Sequence, residues 1–357
     1  MALGSRLGWT VDAAGDPAAG PVESEQAAIR AEADSYDGLL LAETQHDPFV
    51  GLALAARATE RVELASAIAV AFARSPMTMA TVANDLHLVS TGRFRLGLGS
   101  QVRAHIERRF SMPWSRPAAR MREYVAAVRA IWASWATGEP LRFEGEFYRH
   151  TLMTPFFSPG PNPHGNPPIL VAGVGERMTE TAGRAADGFV CHTFTTATYL
   201  REVTLPALER GLAARGHEAP RFSVSLPALV IVGETERDRA EAETAARQQL
   251  AFYGSTPAYK PVLETHGWGE LHDRLHAKSR AGEWDAMARL VSDDVLAQFA
   301  VAGTPREVAA GLDSRFGGLV TRLSFSTPYA ADSALLSQVR ARLRDSAGTA
   351  VASHGGT

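Results

Sequence analysis

The sequence predicts a parallel α/β fold closed into a (β/α)8 barrel, the TIM-barrel class. Three observations predict it. Short apolar runs alternate with longer stretches of helical period along the chain. Eight such strand-plus-helix units fit a chain of 357 residues better as a closed ring than as an open sheet. No GxGxxG fingerprint follows the first strand, which lowers the doubly wound open sheet that is the structural alternative.

The elements follow in order. Leu7–Val11 reads as the first strand, 22–35 as a helix, and Gly38–Ala42 as the second strand. Pro48–Thr59 reads as a helix, with Asp47 placed to cap it and proline at its first position. Val62–Val70 is the third strand, and Pro76–Thr91 is a helix opened by Ser75-Pro76 in the same way. Arg93–Leu98 is the fourth strand. Ala118–Ala136 is a periodic helix with Met121, Val125, Val128, Ile131 and Trp132 on one side.

Residues 137–168, rich in Pro and Gly, interrupt the pattern as a long connection. The alternation resumes with strand Ile169–Ala172, helix Glu176–Ala186, strand Gly188–His192, a helix over 196–215 and strand 221–232. Residues 234–294 read as a mostly helical insertion. Thr304-Pro305-Arg306-Glu307 opens a helix with a capping box, Leu319–Phe325 is the last strand, and Ser333–Arg344 the last helix. One barrel domain over 1–345 is expected, followed by a disordered small-residue tail over 346–357.

Apolar content of 45% and charged content of 21% are those of an ordinary globular enzyme. A net charge of −3 argues against a nucleic-acid partner. A single cysteine, Cys191, excludes a disulfide framework. The start has no signal-peptide layout and no segment has the apolar length to span a bilayer, so a cytoplasmic protein with no membrane partner is expected.

In a barrel the reactive groups stand where strands end. The second strand runs into Glu43-Thr44-Gln45-His46-Asp47. Asp47 accounts for a helix cap, but a carboxylate at Glu43 is costly to bury unless something there uses it. Glu43 is therefore a site candidate. His46 is its companion as acid or base, because an unperturbed imidazole titrates near neutrality. The third strand is lined with small residues, which serve either tight helix packing or a backbone shelf for an aromatic ring system. The fourth strand carries Gly97 and Gly99 and breaks into a polar loop with Ser100, Gln101, His105 and several arginines. Bare backbone followed by donors suits a flat ligand with a polar edge.

After the fifth strand, Gly173-Val174-Gly175 leads into a helix with Arg177 in its first turn, an anion site or simply a turn. His192 faces the site or is a satisfied structural histidine, and Cys191 reads as a core residue. No HxH or HExxH pair and no GxSxG elbow is present, so neither a metal site nor acyl transfer is expected.

ETQHDPF, LASAIAVAF, GRFRLGLGSQVRAHIERRFSMPWSRPAARMREYVAAVRAIW, LVAGVGERMTETAGRAADGFVCHTF and FAVAGTPREVAAGL together resemble the luciferase-like flavin and deazaflavin oxidoreductases, and most of all the coenzyme F420-dependent branch. The resemblance covers nearly the whole chain and implies the luciferase-like barrel with insertions. It implies a bulge with a non-proline cis peptide at Ala67-Ile68 backing the cofactor's middle ring, and cofactor contacts from Ser100 and His105. It also implies amides of Gly173, Val174 and Gly175 on the cofactor phosphate, and Glu43 beside the polar end of the ring system.

The chain departs from the sugar-phosphate dehydrogenases of that branch, which carry an acid-histidine pair after strand two and a glutamate after the glycine strand. Here Thr44 follows the acid, and Gln101 and Val102 stand in the later place. The expectation is hydride transfer between F420 and a small organic substrate, in a homodimer. An FMN-dependent monooxygenase and a non-catalytic flavin- or deazaflavin-binding protein are the alternatives.

Overall fold

The computed structural model describes residues 9–215 and 222–352. Eight strands form the ring: β1 (Thr10–Ala14), β2 (Gly38–Leu41), β3 (Glu63–Ser66), β4 (Phe94–Gly99), β5 (Ile169–Gly173), β6 (Gly188–Cys191), β7 (Ser223–Val232) and β8 (Arg322–Ser326). Each pairs in parallel with the next in sequence, and β8 pairs with β1 to close the barrel. Outward-facing apolar residues such as Val11, Leu39, Leu64, Leu96, Val171 and Leu323 are buried beneath the surrounding helices in one continuous core.

Inside the ring, the end at the strand N-termini is filled by charge. Arg322 on β8 bonds Asp12 on β1 through Nε (2.9 Å) and reaches Glu63 on β3 at 2.7 Å. Arg95 on β4 crosses to Ser223 on β7 at 2.7 Å. Burial works against the charge on Arg322, but the attraction of Asp12 and Glu63 outweighs it and holds the guanidinium protonated well above its usual range. Gly38 leaves room for this network, since a Cβ there would stand 2.4 Å from the Asp12 carboxylate. With that end filled, any ligand must enter where the strands finish.

Several boundaries differ from the sequence reading. The first strand begins at Thr10; Leu7 and Gly8 lie outside the described residues. The third strand is broken. β3 ends at Ser66, and pairing with β4 resumes only at Ala69–Val70. Helix 196–215 is three pieces, with a π turn at Leu200–Thr204 just ahead of Pro206, which has no N–H to continue the ladder. The connection 137–168 contains a small antiparallel hairpin, Phe143–Glu144 with Arg149–His150.

A further strand, Ala300–Gly303, extends the sheet beside the far end of β7. The last helix runs over Ser333–Ala352, so the tail expected from 346 is helical as far as Ala352; 353–357 lie outside the described residues. The insertion packs a second apolar cluster, including Val262, Leu275 and Val291, on Leu229 and Ile231 of β7.

Candidate active site at the barrel mouth

Arg95 and Ser223 meet inside the ring, and Gly188 is paired beside Ser223, so these positions face inward. Side chains alternate along a strand. Ala42, Ala172 and His192 therefore face inward at the other end; all three are partly exposed, as is Ser100 directly after the end of β4. They outline an open mouth.

The break in the third strand shapes one wall. The Ala67-Ile68 peptide is cis, as the resemblance implied. Its neighbour β4 makes space for it. A Cβ on Gly97 would stand 1.9 Å from the Ser66 carbonyl oxygen, and one on Gly99 would meet the Ile68 side chain at 2.6 Å. The two glycines thus serve the adjacent chain segment. Gly97 and Gly99 are themselves buried, so the bare backbone expected on β4 is not open to a ligand, whereas Ala67 and Ile68 of the bulge are partly exposed at the mouth. Ser66 Oγ bonds both the carbonyl and the N–H of Gly97 at 2.9 Å, which ties the bulge down.

Glu43 clamps the same bulge. Its N–H donates to Ile68 O (3.0 Å), and its Oε2 accepts from Val70 N–H and from Arg74, both at 2.7 Å. Arg74 also bonds Asp47 and lies over the Phe49 ring. Burial opposes the Arg74 charge, but Glu43 and Asp47 more than offset it and raise its pKa. The Glu43 carboxylate is thus turned toward β3 and Arg74. Arg74 is a functional neighbour the sequence reading missed; a charged residue between two apolar elements was its only signal.

His46 is exposed and stands apart from the Glu43 carboxylate. It lines a small cleft with Asp16, Pro17, Ala19 and Asp47, between the loops after β1 and β2. His105 is also exposed, on the short helix Arg103–Arg108. That segment is fastened to the β2 loop by Arg109, which donates to Thr44 O at 2.5 Å. Ser100 Oγ donates to Gln101 O at 3.1 Å.

At the tip of β5, Gly173 is partly exposed, Gly175 is the residue before helix Glu176–Ala185, and Arg177 is exposed in its first turn. Tyr199 donates to Val174 O at 2.9 Å and holds this turn in place. Cys191 faces the helices, and burial pushes its thiol up to about 12, which leaves it a core residue. His87, in mid-helix, bonds Phe94 O and is buried.

His192 ends β6 in an aromatic cluster with Tyr253 and Tyr259, both from the insertion. Phe194 N–H donates to its Nδ1 (3.0 Å), and its Nε2 is 3.2 Å from the Tyr259 hydroxyl. Burial pushes the imidazole down to about 4 and the Tyr259 phenol up to about 12. The tyrosines had no local signal, because a fold of the insertion brings them here. Among the described residues no group of three or more His, Cys, Asp or Glu is placed to hold a metal ion, and no helix is long and apolar enough to cross a membrane.

A ring of eight strands with a cis-linked bulge after β3 defines a class, the luciferase-like oxidoreductases. The chain belongs to the luciferase-like monooxygenase family, whose model matches residues 1–322. It is 52% identical to an uncharacterized protein of Mycobacterium tuberculosis over 297 residues, 83% of this chain and 87% of that one. It is 28% identical to the F420-dependent glucose-6-phosphate dehydrogenase of Kineococcus radiotolerans over 299 residues, 82% of this chain and 80% of that one. The fold matches the coenzyme F420-dependent tetrahydromethanopterin reductase of Methanopyrus kandleri with a TM-score of 0.76 at 19% identity, covering 94% and 97% of the two chains. The protein is an oxidoreductase.

Proposed function

We propose that this oxidoreductase transfers a hydride between coenzyme F420 and a small organic substrate. One observation carries the reading: the partly exposed Ala67-Ile68 bulge, Ser100 and the Gly173–Gly175 turn stand at one mouth, and the other end of the barrel is filled by Arg322, Asp12 and Glu63. That set fits a phosphate-bearing deazaflavin. A flat ring can rest on the bulge, its polar edge toward Ser100 and the loop carrying His105. The phosphate can take the free N–H groups at the start of helix Glu176–Ala185, with Arg177 beside them. The similarity to an F420-dependent dehydrogenase supports the same cofactor.

Bound F420 supplies the hydride chemistry. The chain's own residues hold and orient. Glu43, fixed by Arg74, keeps the bulge in place as the wall behind the ring. The loop fastened by Arg109 and the helical insertion cover the mouth and limit water. His46, exposed beside it, exchanges a proton with the substrate. The protein works as a cytoplasmic homodimer.

Titrating the purified protein with oxidised F420 and with FMN, followed by absorbance, tests the reading. F420 should bind at micromolar levels and FMN much more weakly. The family match favours FMN as the rival, and tight FMN binding without F420 binding would replace F420 with it.

A further inference from the structure

The His192–Tyr259 pair has a direction. A backbone N–H can only donate, so the Phe194 N–H makes His192 Nδ1 an acceptor. Burial keeps this imidazole neutral at pH 7, and its single proton is therefore on Nε2. Nε2–H then donates to the Tyr259 oxygen at 3.2 Å. The phenol's own proton must point to another acceptor, and among the described residues no second partner for it is present. Burial and the neighbouring Tyr253 hold the phenol protonated far beyond neutral pH, so it stays a donor.

The pair's place says which acceptor it meets. His192 is the inward-facing residue at the end of β6, and the last pairing before it joins Cys191 to Gly173 of β5. Val174, between the two glycines at the tip of β5, packs in the same apolar cluster as Tyr253 and Tyr259. Tyr259 thus adjoins the β5 side of the mouth. It stands away from the β3 bulge, across from the shelf where the ring would rest.

We infer that Tyr259 is a ligand-binding residue whose hydroxyl donates to a phosphate oxygen on the cofactor's side chain, with His192 as the residue that positions it. This rests on the proposed use of a phosphate-bearing cofactor. The bland alternative is aromatic packing alone, since Phe194 and Phe299 stack in the same cluster. The two differ in what the hydroxyl is for.

Four probes separate them: F420, its phosphate-free chromophore, FMN and riboflavin, each titrated by fluorescence against wild type, Tyr259→Phe and His192→Phe. Tyr259→Phe keeps the ring and its packing. It should weaken binding of the preferred phosphate-bearing probe about tenfold or more and leave its phosphate-free partner within about twofold. His192→Phe should show the same selectivity with a smaller loss. Equal weakening of both partners, or none, in a Tyr259→Phe protein that melts like wild type overturns the inference. If wild type binds none of the four probes, the proposed function fails first. If it binds FMN in preference to F420, the cofactor changes and the Tyr259 test is read on FMN and riboflavin.

Discussion

Glu43 shows how one side chain can be fixed by several partners. Its carboxylate is buried, and it answers both a backbone N–H and a guanidinium. Removing it leaves Val70 N–H unpaired and Arg74 with Asp47 alone, a partner that is half exposed. Glu43→Ala should cost about 2–4 kcal/mol in urea unfolding. Glu43→Gln retains an acceptor oxygen and should recover part of that. Equal stability of wild type and Glu43→Ala would show that the clamp holds nothing. Cys191 gives a second test at this scale. Its thiol is buried and held up at about 12, so it should not react with a thiol-specific reagent at pH 8 until the protein unfolds. Labelling of native protein at the rate of free cysteine would place it at the surface.

At the scale of the element, the local rules were readable where they act locally. Asp47 and Ser75 cap their helices, each followed by proline, and Thr304 and Glu307 form the reciprocal capping box. Thr304→Ala should therefore cost about 1 kcal/mol, seen as a lower melting temperature with unchanged cofactor binding. The order of strands and the ring itself were also legible, because hydrophobic period and length decide them. The interruptions were less so. The break after Ser66 is stabilised by β4, some thirty residues on, and the glycines that permit it read equally well as a bare ligand surface. Gly97→Ala discriminates between these: the new methyl would meet the Ser66 carbonyl, and the variant should lose at least about 3 kcal/mol or fail to fold, even without ligand. A ligand shelf on β4 would instead predict a stable protein with weakened binding. The aromatic residues of the insertion were illegible for a plainer reason. Nothing near Tyr253 or Tyr259 in sequence states that a chain reversal sets them on His192.

Inside the ring, charged side chains fill the end at the strand N-termini, apolar residues pack between the strands and the surrounding helices, and the open end carries the bulge, the β5 turn and the aromatic cluster of His192. Four histidines spread through this architecture share one property. His87, His150, His192 and His266 are each held below the ordinary imidazole value by burial, His192 to about 4. Their folded values are lower than their unfolded ones. Between about pH 4 and 6.5 the unfolded chain thus binds more protons than the folded one, and stability rises with pH through that window. Acidification from pH 7.5 to 5 should lower the unfolding free energy, His192 alone contributing on the order of 1–2 kcal/mol. Asp12 works the other way, since burial raises its carboxyl and the folded chain then holds that proton more tightly than the unfolded one. Urea unfolding at half-unit steps from pH 5 to 7.5 measures the slope. His192→Phe should flatten it by removing the most depressed of the four groups. A slope that is flat in wild type, or unchanged in that variant, would mean that the imidazole at the end of β6 is solvated and charged, and that its proton is not confined to the side facing Tyr259.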